Sequence, residues 1–139
     1  MDQIVHASCV SIDGKGVLIK GASGAGKSSL SLQLLALGAD LVADDRTVLS
    51  SSDSGVIASC PPQIQGTIEA RGVGLLTAPT APSTVLHCVV DMDLVEHNRI
   101  PDEKNLTLLG RDYPLFYRVD GIHFAASLWL MVRHGRSTL

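Results

Sequence analysis

The ten residues GASGAGKSSL at positions 21–30 constrain this chain more than any other stretch. Gly21, Gly26, Lys27 and Ser28 complete the pattern G-x-x-x-x-G-K-[ST], and it lies between a strand-like run, VLI at 17–19, and a helix-like one. In such a loop the backbone N–H groups of Gly21, Ala22, Ser23, Gly24, Ala25 and Gly26 can turn inward on phosphate oxygens, and a helix N-terminus adds positive potential. Lys27 reaches the β- and γ-phosphates, the Ser28 hydroxyl can ligate Mg²⁺, and Ser29 continues the first turn. The implied ligands are ATP and Mg²⁺. The loop does not choose an acceptor: hydrolysing NTPases position water, whereas kinases present a carboxylate to a hydroxyl.

The patterning around the loop predicts an α/β domain with a P-loop-containing mixed β-sheet and flanking helices. IVHASCVSI at 4–12 and VLI at 17–19 flank D-G-K-G and read as an antiparallel hairpin that feeds the loop. Lys27 to Leu37 reads as a buried helix with Leu30, Leu34 and Leu37 on one face, stopped by Gly38. A short strand at 41–43 ends in Asp44 and Asp45, and a hairpin turning at SSDSG follows over 46–60. IEARGVGLL at 68–76 mixes strand formers with glycines, and VLHCVV at 85–90 reads as a core strand ending at Asp91. Short strands are expected at 106–109 and 115–117. Asp120 is placed as the cap of a final helix carrying Phe124, Leu128 and Met131, with RHGRSTL as a mobile tail.

Length and composition narrow the function. The 139 residues suffice for one domain, taken as 1–139, and 45% hydrophobic with 18% charged residues suits a folded core. A formal charge of -3 with scattered Lys and Arg argues against nucleic-acid binding, as do the few aromatic residues. No apolar run approaches the ~20 residues of a membrane span, and no secretory signal is visible, so the expectation is a cytoplasmic protein with no membrane partner. Cys9, Cys60 and Cys88 read as small buried apolar residues. His87 and His123 read as packed, and His97 and His134 as surface groups.

A phosphate loop ordinarily works with a carboxylate at the end of another core strand. Asp44-Asp45 and Asp91 compete for that place; Asp91 follows the longer apolar strand, while the acidic pair follows the loop helix at once and offers two carboxylates for two tasks. Spacing alone leaves both open.

GASGAGKS, VADDRTVL beginning at position 42, IEARGVGLL and the upstream His6 together resemble the catalytic domain of HPr kinase/phosphorylase, over positions 4 to about 76. The resemblance implies a phosphoenolpyruvate-carboxykinase-like fold. It also implies an ATP- and Mg²⁺-dependent serine kinase acting on an HPr-type phosphocarrier of the phosphotransferase system, and a reverse reaction in which inorganic phosphate removes the phosphoryl group as pyrophosphate. Carried onto this sequence, Asp44 would be the base toward the target serine, Asp45 would meet the metal or phosphate region, and His6 would lie near Asp44. Glu69 would hold Mg²⁺ with Ser28, and Arg71, two residues on along an extended segment, would bind phosphate. The family tends to form homo-oligomers, and this chain looks like its short, single-domain version. It departs from the long form at Ser29, commonly Glu there, and in NLTLLGRDYPLFYR, which lacks the basic loop over the substrate phosphate; Arg111 and Arg118 read as solvated charges. Two other readings stand beside it: an NTPase or small-molecule kinase using Asp91 for the metal, and a non-catalytic nucleotide sensor.

Overall fold

The structure, a computed structural model, describes residues 2–62 and 66–137. Its centre is a curled mixed sheet whose strands are β1 (Gln3–Val5), β2 (Ala7–Ile12), β3 (Lys15–Lys20), β4 (Asp40–Ala43), β5 (Thr47–Ser52), β6 (Gly55–Ser59), β9 (Ser83–Val95), β10 (Asn105–Leu108) and β11 (Arg111–Arg118). A separate hairpin, β7 (Thr67–Ala70) with β8 (Gly74–Thr77), lies beside it. The helices are α1 (Lys27–Leu37) and α2 (Phe124–His134). The main path runs β1-β5-β6-β9-β3-β2-β4, and β11 adds to β9 with β10 outside it. β9 is parallel to both β3 and β11, while the β2–β3 and β5–β6 hairpins are antiparallel.

Two apolar layers follow from strand alternation. Val10, Ile12, Val17, Ile19 and Val90 face α1 and α2 and meet Leu30, Leu34, Phe124, Leu128 and Val132. On the other face Cys9, Leu18 and Val89 pack against Leu49, Val56 and Tyr113, as the curled sheet closes over itself. The Tyr113 hydroxyl is not left orphaned there, because it accepts the Val56 N–H at 2.8 Å. Leu34 is 0% exposed at the centre of the helix–sheet layer. Leu34→Ala is expected to cost about 2–5 kcal/mol in urea-unfolding free energy, the range for emptying such a site.

The loop helix has the bounds that its sequence predicts, because glycines punctuate both ends. Gly38 takes φ 121, and its N–H and the next one close on the carbonyls of Leu35 and Leu34. The buried face differs: it is Lys27, Leu30, Ser31 and Leu34, while Leu37 lies exposed.

Other expectations need correction. The strand read over 4–12 is two strands, because Val5 pairs with Thr47 of β5 whereas Ala7 pairs with Lys20 of β3, and His6 forms the bend where the partner changes. β9 does not end at Asp91 but continues to Val95, with Lys20 directly across from that aspartate. Asp120 does not cap α2: His123 stands at the helix boundary, and the Asp120 carboxylate accepts Arg118 Nε at 2.9 Å. His87 and His123 are exposed. The tail starts later than expected, since Arg133 and His134 finish α2 and Arg133 Nε donates to Asp13 at 2.8 Å; Thr138 and Leu139 lie outside the described residues.

Candidate active site

The β3–α1 loop leaves the sheet at the C-terminal end of β3, where Lys20 pairs in parallel with Asp91 of β9. Gly26 sits at the helix boundary with φ 103, a left-handed conformation that a side chain adopts only with strain, and this turn sends Lys27 straight into α1. The first turn of α1 contains no acidic residue, so its positive end is not neutralised from within the helix. Lys27 is only 6% exposed. Its ammonium, which burial would otherwise penalise heavily, donates to the carbonyls of Gly21 at 2.6 Å and Ala22 at 3.1 Å.

β4 runs beside β2 and brings Asp44 to the first turn of α1. Asp44 Oδ1 accepts Ser28 Oγ at 3.1 Å and Ser8 Oγ at 3.0 Å. Asp45 follows in a left-handed conformation, φ 68, with its N–H donated to Ser8 Oγ at 3.1 Å. Its carboxylate Oδ1 accepts a hydrogen bond from His6 Nε2 at 2.6 Å in an exposed pair. The histidine therefore touches Asp45, the neighbour of the Asp44 beside which the family resemblance places it.

Glu69 and Arg71 reach the same cleft from the β7–β8 hairpin. In β7, Ile68 and Ala70 turn inward and Glu69 outward. Arg71 begins the turn after the strand, so it does not continue an extended face as the sequence reading assumed. Ser23, Gly24, Gly26, Lys27, Ser28, Ser29, Asp44, Asp45, Glu69 and Arg71 all line one cleft of about 640 Å³. A second cleft of about 590 Å³, with Ile4, Arg46, Pro61, Thr67 and Leu75, shares Asp44, Asp45 and Glu69 with the first. The acidic residues thus stand on the boundary between two spaces.

Asp91 is not part of this convergence. It is buried, with Oδ2 accepting Lys20 Nζ at 3.2 Å and Oδ1 accepting the Asp93 N–H at 2.9 Å. Asp93 Oδ1 in turn takes the Ala22 N–H at 2.9 Å and braces the loop. Arg118 is likewise held, with a guanidinium N–H on the Met92 carbonyl at 3.0 Å. Arg111 bonds the Ser52 and Asp53 carbonyls at the far end of the sheet. Burial pushes the Cys9 and Cys88 thiols up, Cys88 to about 12, as expected of inert core residues. Ser8 and Asp93 are the site residues that sequence reasoning missed; a serine inside an apolar strand run was the only signal for the first.

The donors are hard oxygens, Ser28 Oγ beside Asp44 Oδ1 with Glu69 in the same cleft, the kind that Mg²⁺ takes alongside phosphate oxygens. Among the described residues no group of three His, Cys, Asp or Glu side chains gathers into a separate metal site. Among them also, no helix is long and apolar enough to cross a membrane.

A mixed α/β domain with a curled sheet, carrying a glycine-rich loop and an acidic pair at one sheet end, is the class that fold and site define. Residues 1–107 match the family model for the HPr serine kinase C-terminal domain. The chain belongs to this family. HPr kinase/phosphorylase of Bordetella pertussis is 48% identical over 77 residues, 55% of this chain and 25% of that protein. The protein of the same name from Cupriavidus pinatubonensis is 37% identical over 118 residues, 76% of this chain and 36% of that one. The matched region spans from a quarter to just over a third of these curated relatives. Among solved structures, the HPr(Ser) kinase/phosphatase of Coxiella burnetii superposes with a TM-score of 0.78 at 30% identity, covering 94% of this chain and 88% of that one.

Proposed function

We propose that the chain is an ATP- and Mg²⁺-dependent protein-serine kinase for an HPr-type phosphocarrier, with Asp44 as the base. The observation that carries this reading is the hydrogen bond from Ser28 to Asp44 at 3.1 Å, because it brings a carboxylate to the hydroxyl of the glycine-rich loop while Asp91 is engaged elsewhere. The loop acts as a P-loop within a phosphoenolpyruvate-carboxykinase-like arrangement. Its N–H groups and Lys27 hold the triphosphate, and Arg71, which lines the same cleft, adds positive charge. Ser28 and Glu69 would hold Mg²⁺, which when bound would supply positive charge against the phosphates.

In the forward direction the acceptor serine oxygen bonds to the γ-phosphorus as the bond to the bridging oxygen of ADP breaks, and Asp44 takes the hydroxyl proton. In reverse, an oxygen of inorganic phosphate bonds to the phosphoserine phosphorus, giving pyrophosphate, as the bond to the serine oxygen breaks and Asp44 returns its proton to that oxygen. Asp45, held by His6, stands between the spaces for donor and acceptor.

The carboxylates shared with the first cleft support a reading in which the second takes the carrier. Ile4 and Leu75, 65% and 75% exposed, give it an apolar rim suited to side chains around the target serine. Leu75→Glu is expected to raise KM for the carrier roughly tenfold, the scale of a lost rim anchor, with KM for ATP unchanged. The reading itself is tested by ADP formation with and without purified carrier. Carrier-dependent turnover supports a protein kinase; equal rates in both mixtures point to a plain NTPase.

A further inference from the structure

We infer that Ser8 is a positioning residue that sets the orientation of Asp44 for proton transfer, an inference that rests on the kinase reading above. The α1-facing row of β2 is Ser8, Val10 and Ile12. Val10 and Ile12 belong to the apolar layer, and Ser8 is just as buried, at 0% exposure. A hydroxyl there is costly unless both its donor and acceptor capacities are used. Both are: the proton goes to Asp44 Oδ1 at 3.0 Å, and the oxygen accepts the Asp45 N–H at 3.1 Å.

The register explains the geometry. Cys9 pairs with Ala43, and an irregularity between Cys9 and Val10 shifts the β2–β4 ladder, leaving Ser8 to meet the chain just past the end of β4. One hydroxyl therefore secures the left-handed backbone at Asp45 and the side-chain rotation of Asp44. With Ser8 and Ser28 both donating to Oδ1, Oδ2 has no protein hydrogen-bond partner among the described residues and is the oxygen presented to the acceptor proton. Ser8 touches neither cleft. Its effect on the reaction is exerted through the carboxylate.

Threonine and valine have nearly the same shape and differ by the hydroxyl, so Ser8→Thr and Ser8→Val separate the hydrogen bonds from packing. The assay measures kcat and KM for transfer from ATP to a purified HPr-type carrier, with ATP affinity by calorimetry and a melting curve for each variant. Ser8→Val is expected to lose kcat by about tenfold to a hundredfold, the equivalent of one hydrogen bond to a charged group, with ATP affinity unchanged, and Ser8→Thr to recover the rate. Equal kcat for the two variants overturns the inference, as does a Ser8→Val loss that tracks weakened ATP binding or a collapsed melting curve. A wild-type protein that transfers nothing to the carrier overturns the kinase reading and this inference with it. An active wild type with equivalent Thr and Val variants overturns this inference alone.

Discussion

Asp44→Asn is expected to lower phosphoryl transfer to the carrier by roughly a hundredfold to ten-thousandfold, the contribution typical of a positioned acid–base group. The replacement keeps the shape, and its amide oxygen can still accept from Ser8 and Ser28, so the loop and the acidic turn retain their hydrogen bonds. What it loses is the ability to take up a proton. ATP affinity measured by calorimetry is therefore expected to stay near the wild-type value while single-turnover transfer collapses, and the reverse reaction with inorganic phosphate should fall in parallel. The matching change at Asp91 should behave differently. That carboxylate is bonded to Lys20 and to the Asp93 backbone, so Asp91→Asn acts on stability more than on the chemical step.

Lys27→Met is expected to cost about a hundredfold to a thousandfold in the same assay, the usual effect of removing a group that stabilises transition-state charge. In contrast to Asp44→Asn, it should also weaken nucleotide binding. The side chain is almost fully enclosed, and its ammonium is the positive charge carried at the loop itself, between the carbonyls of Gly21 and Ala22. A convenient readout is the rise in melting temperature with ATP, which depends on affinity and should largely vanish in the variant. If Lys27→Met keeps the full ATP-dependent rise, the loop does not hold the triphosphate as proposed.

What the sequence made legible follows from how local each signal is. α1 could be bounded because Gly26 and Gly38 supply left-handed turns that end a helix within a residue. The β5–β6 hairpin was visible because SSDSG is turn chemistry between two strand-forming runs. The extent of β9 was not: Asp91 looks like a strand end until Lys20 is known to lie across from it, and that pairing joins positions 71 residues apart. α2 was visible from its periodicity, but its start was misplaced because Gly121, at φ 143, and Ile122 separate Asp120 from the first turn.

The site divides in the same way. Spacing left Ser28 with either the acidic pair or Asp91, and the family resemblance pointed to the pair; the β2–β4 ladder is what closes the interval between them. Ser8 and Asp93 act through bonds to Asp44 and Ala22, across 36 and 71 positions, from residue types that are common on any strand. The contact of His6 with Asp45 depends on a bend where β1 leaves for β5, and nothing in the alternation of residues 4–12 marks that change of partner.

The most direct test of the central claim is to locate the transferred group. Wild-type protein and Asp44→Asn are incubated with γ-labelled ATP, Mg²⁺ and a purified HPr-type carrier, and the carrier is digested and mapped. The expected product is an acid-stable phosphoserine in the carrier, absent with Asp44→Asn. Free labelled phosphate with an unmodified carrier, or equal labelling by both proteins, would contradict it.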